Sequence, residues 1–214
     1  RRAPMPSPTT APDAPAAERL TTAEIVERYP GAHLDAGSLE AGLGTILDSP
    51  KDAGAIGLIV RRPGENEREL LEVAELDVAV GLVGDNWSRR RSSKTEDGSP
   101  HPEMQLNLMN SRVVDLVAGG DRRRWPLAGD QFFVDLDLGR DNLPPGTRLA
   151  LGTAELEVTA MPHLGCKKFV ERFGIEAMKF VNSGPAKKQC LRGINARVVR
   201  PGTVTVGDEI RVLR

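Results

Sequence analysis

Hydrophobic positions along the 214-residue chain fall into short bursts separated by Gly, Pro and Asn, and the spacing inside each burst predicts its element. Two early bursts have helical spacing. Residues 21–31 (TTAEIVERYPG) open on hydroxyl residues able to cap a helix, carry Ile25 and Val26, and stop at Pro30 and Gly31. Residues 38–47 (SLEAGLGTIL) place Leu39, Leu43 and Leu47 four apart behind Ser38, a capping residue, with Pro50 just beyond. The rhythm then shortens. Residues 55–62 (AIGLIVRR) and 69–75 (ELLEVAE) read as strands across a polar PGENER turn. Residues 105–108 lead into a helix from Ser111, with Val113, Val114 and Val117 on one face and Gly119 at its end. Residues 133–138 (FVDLDL) alternate apolar with acidic, predicting a half-buried strand whose polar face holds Asp135 and Asp137. Residues 148–151, 155–159, 194–199 and 209–213 complete the strands, with DNLPPG and RPGTV as turns. Short strands at this density predict a mostly β fold with α insertions, barrel-like rather than a layered parallel α/β sheet. No internal repeat is present.

Composition divides the chain. Residues 1–20 are rich in Pro, Ala and Ser and have little to bury, which predicts a disordered leader, followed by a helical arm over 21–47 and a main domain over 48–214. Lys and Arg number 29 against 30 acids, so no overall field draws the protein to nucleic acid or an anionic membrane. Any basic site must be local. No apolar run approaches the ~20 residues that span a bilayer, and the start lacks a secretory apolar stretch, predicting a cytoplasmic protein. The two cysteines, Cys166 and Cys190, are too few for a disulfide framework and would be thiols in a reducing compartment.

Chemistry centres on PHLGCKKF, residues 162–169. A strand ends at residue 159 or 160, a Pro-Gly loop follows, and a helix bearing Phe169, Val170 and Phe173 begins at or just after Cys166. A cysteine at a helix N-terminus, with His163, Lys167 and Lys168 nearby, has the surroundings that favour a thiolate. It is equally open to reading as a small buried hydrophobe. His163 and Cys166 have a spacing seen in zinc sites, with His101 and Cys190 as distant partners, but no CxxC or HxxxH pair supports them. Cys190 opens an apolar strand and reads as a core residue, although a redox pair with Cys166 is compatible with the sequence. Residues 87–94 (WSRRRSSK) set Arg89, Arg90 and Arg91 beside an indole, a combination suited to an anionic heterocycle or to a plain solvated loop. Arg192, Asn195 and Arg197 punctuate LRGINARVV, where strand-borne arginines either clamp an anion or lie on an edge. GxGxxG, the Walker phosphate loop, GxSxG and HExxH are all absent, as are flavin, iron-sulfur and pyridoxal motifs.

The order of GLVGD (81–85), DLDLGRDNLPPGTRLALGTAELEVT (135–159), a Pro-x-x-x-Cys loop (162–166), LRGINARVV (191–199) and PGTVTVGDEI (201–210) resembles the MOSC domain, over residues 45–214. That resemblance implies a predominantly β barrel and a molybdenum pterin cofactor. Cys166 then stands where the family's cysteine carries sulfur as a persulfide or ligates molybdenum. By the same resemblance Arg192, Asn195 and Arg197 face the cofactor; His163 and Lys167, beside the cysteine, are further cofactor-binding candidates, and Arg89, Arg90 and Arg91 together with the last-strand arginines would hold its phosphate. A reductase of N-hydroxylated compounds would draw electrons from a separate redox partner, whereas a sulfur carrier would be loaded by a cysteine desulfurase. Two departures bear on substrate: His163 replaces an arginine of some relatives, and GDQFF (129–133) replaces the usual Glu-Asn-Leu. The N-terminal sheet domain of larger amidoxime-reducing relatives and the pyridoxal-phosphate domain of the sulfurases have no counterpart, predicting a bare MOSC domain with a short helical arm. The rival expectation is a non-catalytic barrel that shelters a small anion or docks on another protein, with Cys166 structural.

Overall fold

The computed structural model describes residues 18–214, so nearly all of the stretch read as a leader lies outside the described residues. Its last part is nonetheless structured. Strand β1 (Arg19–Thr21) pairs antiparallel with β3 (Glu67–Leu71) and buries Leu20, which corrects the expectation for residues 18–20. Thr21 then caps helix α1 (Thr22–Arg28): its hydroxyl accepts from the Glu24 amide while the Glu24 carboxylate accepts from the Thr21 amide. Helix α2 (Ala36–Leu47) starts earlier than its leucine spacing suggests, because Asp35, not Ser38, is the cap and accepts from the Ser38 amide.

Seven strands close a barrel. Strand β2 (Ala53–Arg61) begins it; β4 (Val73–Asp77) and β5 (Gly81–Leu82) leave it to form a small side sheet. Then come β6 (Leu106–Asn110), helix α3 (Ser111–Val117), β7 (Phe132–Val134), β8 (Arg148–Leu151) and β9 (Ala154–Pro162). Helices α4 (Lys167–Asn182) and α5 (Gly184–Lys188) precede β10 (Ile194–Arg200), β11 (Gly202–Thr205) and β12 (Glu209–Leu213). Around the ring the order is β2, β12, β8, β9, β10, β6, β7 and back to β2, antiparallel except for β6 beside β7. The turn expected at RPGTV is instead the start of β11, which pairs with β4.

Two cores explain where the pattern misled. Leu106, Leu108, Phe132 and Val134 fill the barrel interior, while their neighbours Met109 and Phe133 face a second core under the helices. Strands covered on both faces lose the apolar-polar alternation. Consequently β7 stops at Val134; Asp135 pairs with Arg112, and Asp137 accepts from the Gly139 amide rather than lining a half-buried strand. The second core joins Ile25, Leu39 and Ile46 of α1 and α2 to Val113, Val117, Phe169 and Phe173, so residues 21–47 are packed into the same body as the barrel wall.

Candidate functional site

One cleft of about 600 Å³ gathers most of the reactive side chains. Its walls come from the β2–β3 turn, the loop after β5, Asn107 of β6, residues 128–129, the 163–166 loop, the start of α4 and Arg192 just ahead of β10. Helices α1 and α2 contribute none of the lining.

A buried polar frame sets these walls. Asp85, from GLVGD, accepts from the amide, Nε and Nη2 of Arg62 and from the Trp87 amide, which fastens the 86–92 loop to the end of β2. Arg62 also donates to Asn107 Oδ1 and the Gly129 carbonyl, and Asn107 passes the chain of bonds to Asn195 and the Met161 carbonyl. On the other wall the fully buried Asp130 receives both a two-oxygen contact from Arg192 Nη1, at 3.0 and 2.8 Å, and a 2.8 Å contact from His163 Nε2. Burial alone would raise the Asp130 pKa, but Arg192 and His163 outweigh it and hold the carboxyl below its ordinary value. Burial and then the Arg192 charge push His163 below its usual pKa, against the pull of Asp130. The imidazole is therefore neutral near pH 7 and donates its Nε2 proton to Asp130, leaving the Nδ1 lone pair. Gly193 makes this closeness possible: it has φ +112, and a Cβ there would lie 2.2 Å from the Leu108 carbonyl and 3.2 Å from His163.

The remaining arginines of the wall have no such partner. Arg68 donates only to the carbonyls of Pro126 and Glu67, and Arg172 only to the Leu127 carbonyl and Asn66 Oδ1. Among the described residues no carboxylate lies within ion-pair distance of Arg68, Arg172, Arg90 or Arg91, all of which line the cleft. Burial, then Arg172 and Arg62, bring Arg68 down to about 9. Burial likewise lowers Arg172 and Arg90. A guanidinium stays protonated at neutral pH even so; of the three, Arg68 is buried, Arg172 half-buried and Arg90 exposed on the cleft rim. Three buried polar atoms of lining residues, Asn86 Oδ1, Trp87 Nε1 and Arg192 Nε, also lack a partner.

Cys166 is a free, exposed thiol on the cleft wall and the capping residue of α4, where its sulfur makes no capping hydrogen bond. The loop carrying it is anchored behind: the Gly165 amide donates to Asn182, and a Cβ at Gly165 would meet Met178 sulfur at 2.4 Å. Gly174, at φ +90, breaks α4 after its first two turns. Cys190 belongs to the barrel core, lines a different small cavity and has its thiol pushed up by burial.

Several expected residues lie elsewhere. Arg89 donates to the Pro63 carbonyl and is not in the wall, although Arg90 and Arg91 are. Arg197 is half-exposed in a pair with Glu157, away from the cleft, because its place on β10 directs it opposite to its buried neighbours Ala196 and Val198. Asn195 sits one residue behind the wall, through Asn107. Lys167 does not line the cleft, whereas Lys168 does, held by Glu65 and Asn66. His101 lines it, but among the described residues no three His, Cys, Asp or Glu side chains come together to hold a metal ion, so no zinc tetrahedron forms from His101, His163, Cys166 and Cys190. Arg62, Arg68 and Arg172 went unseen in the sequence. The first two flank a turn that reads only as polar, and Arg172 sits in a helix legible only through its phenylalanines.

A family model described as the MOSC domain matches residues 103–211, just over half of the chain. The chain belongs to the MOSC domain family. The match takes in Asp130, His163, Cys166, Arg172 and Arg192 of the cleft, while Arg62, Arg68, Arg90 and Arg91 precede it. No curated protein matches the chain. Among solved structures, the YUAD protein from Bacillus subtilis is 18% identical over 75% of this chain and 95% of its own, with a TM-score of 0.57. YiiM from Escherichia coli is 18% identical, covering 75% of this chain and 70% of its own, with a TM-score of 0.49. The MOSC fold is thus a closed, mixed seven-stranded barrel with a few helices, as its sequence pattern predicts.

Proposed function

We propose that the cleft binds a molybdenum pterin cofactor, with Cys166 as its sulfur carrier or molybdenum ligand. The observation that carries this reading is the convergence of four guanidinia without carboxylate partners on a cleft that also exposes a thiol. Guanidinium forks suit phosphate oxygens, and a soft thiolate suits molybdenum. The orphaned Asn86 Oδ1 and Trp87 Nε1 offer an acceptor and a donor to a heterocycle, which fits a pterin. Membership of a family known in molybdenum-cofactor proteins adds to this support.

When bound, the cofactor supplies a metal able to exchange two electrons, as the reduction of an N-hydroxylated compound requires. The chain's own residues do the rest. Arg90 and Arg91, on the 87–98 loop, hold the phosphate. His163, turned by Asp130, presents Nδ1 as the atom that takes or returns a proton in the cleft. Arg192 keeps Asp130 ionised and is itself braced over the Phe169 ring at 5.0 Å. A reductase of this kind takes electrons from a separate redox protein in the cytoplasm; a sulfur carrier takes its persulfide sulfur from a cysteine desulfurase.

The test is protein purified without oxygen from cells that make the cofactor, assayed for molybdenum and cyanide-labile sulfur. Wild type is expected to contain molybdenum. Loss of the metal in Cys166→Ala assigns the ligand role; loss of labile sulfur with metal retained assigns the carrier role. Absence of both from wild type overturns the reading and leaves a barrel that binds a plain anion.

A further inference from the structure

A 3-10 helix, Arg122–Ala128, ends at Gly129 in the cleft wall, and the last four carbonyls of this segment each hold a different arginine. Pro126 accepts from Arg68 at 2.8 Å, Leu127 from Arg172 at 2.7 Å, Ala128 from Arg192 at 2.9 Å and Gly129 from Arg62 at 2.9 Å. Backbone dipoles thus draw four guanidinia onto one ridge. A carbonyl carries only a partial negative charge, so it orients a guanidinium without neutralising it. Arg62 and Arg192 take full counter-charges from Asp85 and Asp130; Arg68 and Arg172 have none among the described residues. Their free faces meet at one place. A Cβ built on Gly129 would lie 3.5 Å from Arg68 Nη2 and 3.9 Å from Arg172 Nη1, and among the described residues beyond its chain neighbours nothing else comes within 4 Å. Arg68 is only 6% exposed, yet its Nη2 donates to no group of the protein, since Nε and Nη1 make its two hydrogen bonds. Arg172 Nη1 uses one of its two hydrogens on the Leu127 carbonyl, leaving the other. Gly129 has φ +89, which disfavours any side chain there, so the backbone itself keeps the space open. The loop arginines are not part of this arrangement: the Arg91 guanidinium lies against Gly98 of its own loop.

We propose that the space over Gly129 is a seat for a tetrahedral oxyanion of the phosphate class, gripped by Arg68 and Arg172. Two uncompensated guanidinia match the charge of about −1.5 to −2 that a phosphate group carries at neutral pH, whereas a single carboxylate would leave one of them unmatched. The ridge fixes both forks before the anion arrives, so binding orders little that is not already ordered. The same ridge explains why these two arginines, one from a hairpin strand and one from α4, converge without a carboxylate between them. The seat is built by the protein alone and does not rest on the cofactor reading. Its phosphate is either inorganic or carried by a larger ligand, a pterin included.

Equilibrium dialysis of inorganic phosphate tests this at low ionic strength, on full-length chain from cells unable to make the cofactor. Saturable binding is expected, weakened about tenfold or more by Arg172→Gln. Arg197→Gln removes the same charge from the outer face of β10 and should leave the affinity at its wild-type value. No saturable phosphate in wild type, or phosphate kept in Arg172→Gln and lost in Arg91→Gln, overturns the proposal. Should Arg172→Gln fold poorly, Arg172→Lys keeps the charge without the fork; it should bind phosphate more weakly than wild type, and equal affinity would overturn the fork's role and the seat with it. In cofactor-loaded protein, phosphate uptake that is still lost in Arg172→Gln assigns the seat to a free or substrate-borne phosphate, and exclusion of inorganic phosphate assigns it to the cofactor's own. A chain that binds phosphate through Arg172 yet never acquires pterin keeps the seat and sinks the cofactor reading; a chain that acquires pterin but binds no phosphate in its cofactor-free form does the opposite.

Discussion

His163, Asp130 and Arg192 are the residues on which the cleft's inner wall depends. Removing the carboxylate leaves a buried guanidinium uncompensated, so Asp130→Asn should cost about 3–5 kcal/mol in urea unfolding, far more than an exposed ion pair. The pH dependence follows from two shifts of the same sign. His163 and Asp130 both have folded-state pKa values below their ordinary ones, so the unfolded chain binds more protons in each window. Stability should hold above about pH 6.5, the ordinary histidine value, and fall as the pH drops below it, first through His163 and then, below the ordinary aspartate value, through Asp130. His163→Gln should flatten the upper part of that fall, and an unchanged profile would contradict the burial of a neutral imidazole. Cys166→Ala, by contrast, removes an exposed thiol with no hydrogen bond of its own and should move stability by no more than about 0.5 kcal/mol. Cys166 thereby separates function from folding.

At the scale of elements, close approaches decide what the chain can tolerate. Gly193→Ala must relieve both a left-handed φ and a collision with the Leu108 carbonyl across the β10–β6 pair, and a loss of at least about 1–3 kcal/mol is expected from the backbone alone. A denaturation midpoint unchanged from wild type would show that β10 has slack against β6. The same elements explain how far the sequence could be read. Strands β8, β10 and β12 lie where their apolar spacing puts them, because each presents a regular face to the barrel interior. β7 was legible as a strand but not in extent, since Phe132 and Phe133 bury opposite faces in different cores. β11 and β1 were missed because pairing partners distant in sequence, β4 and β3, outweigh local turn and leader composition. Cys166 at the start of α4 was visible from a Pro-Gly loop meeting a phenylalanine-faced helix. Arg68 and Arg172 were not, since only the fold brings a hairpin strand and that helix to one point beside Gly129.

For the whole molecule, a net charge of −1 conceals a strongly polarised surface. The outer faces of β9 and β10 pair off Glu155 and Glu157 with Arg200, Arg148 and Arg197, while the cleft keeps six arginines and Lys168 against a single lining carboxylate, Glu65. Anion binding should accordingly weaken with salt, by more in the exposed Arg91 loop than at the buried Arg68 floor, and dialysis in rising sodium chloride reads that difference. No helix among the described residues is long and apolar enough to cross a membrane. The barrel, its helical cover and the cleft form one scaffold in which the 21–47 helices brace α4 from behind rather than roofing the site. Whether the cleft holds a pterin by its unpaired arginines is read from the pterin content of anaerobically purified protein, measured as its oxidised fluorescent derivative. Close to one pterin per chain is expected in wild type and in Arg197→Gln, and little or none in Arg90→Gln with Arg91→Gln. Wild type without pterin, or equal pterin in all three proteins, would contradict it.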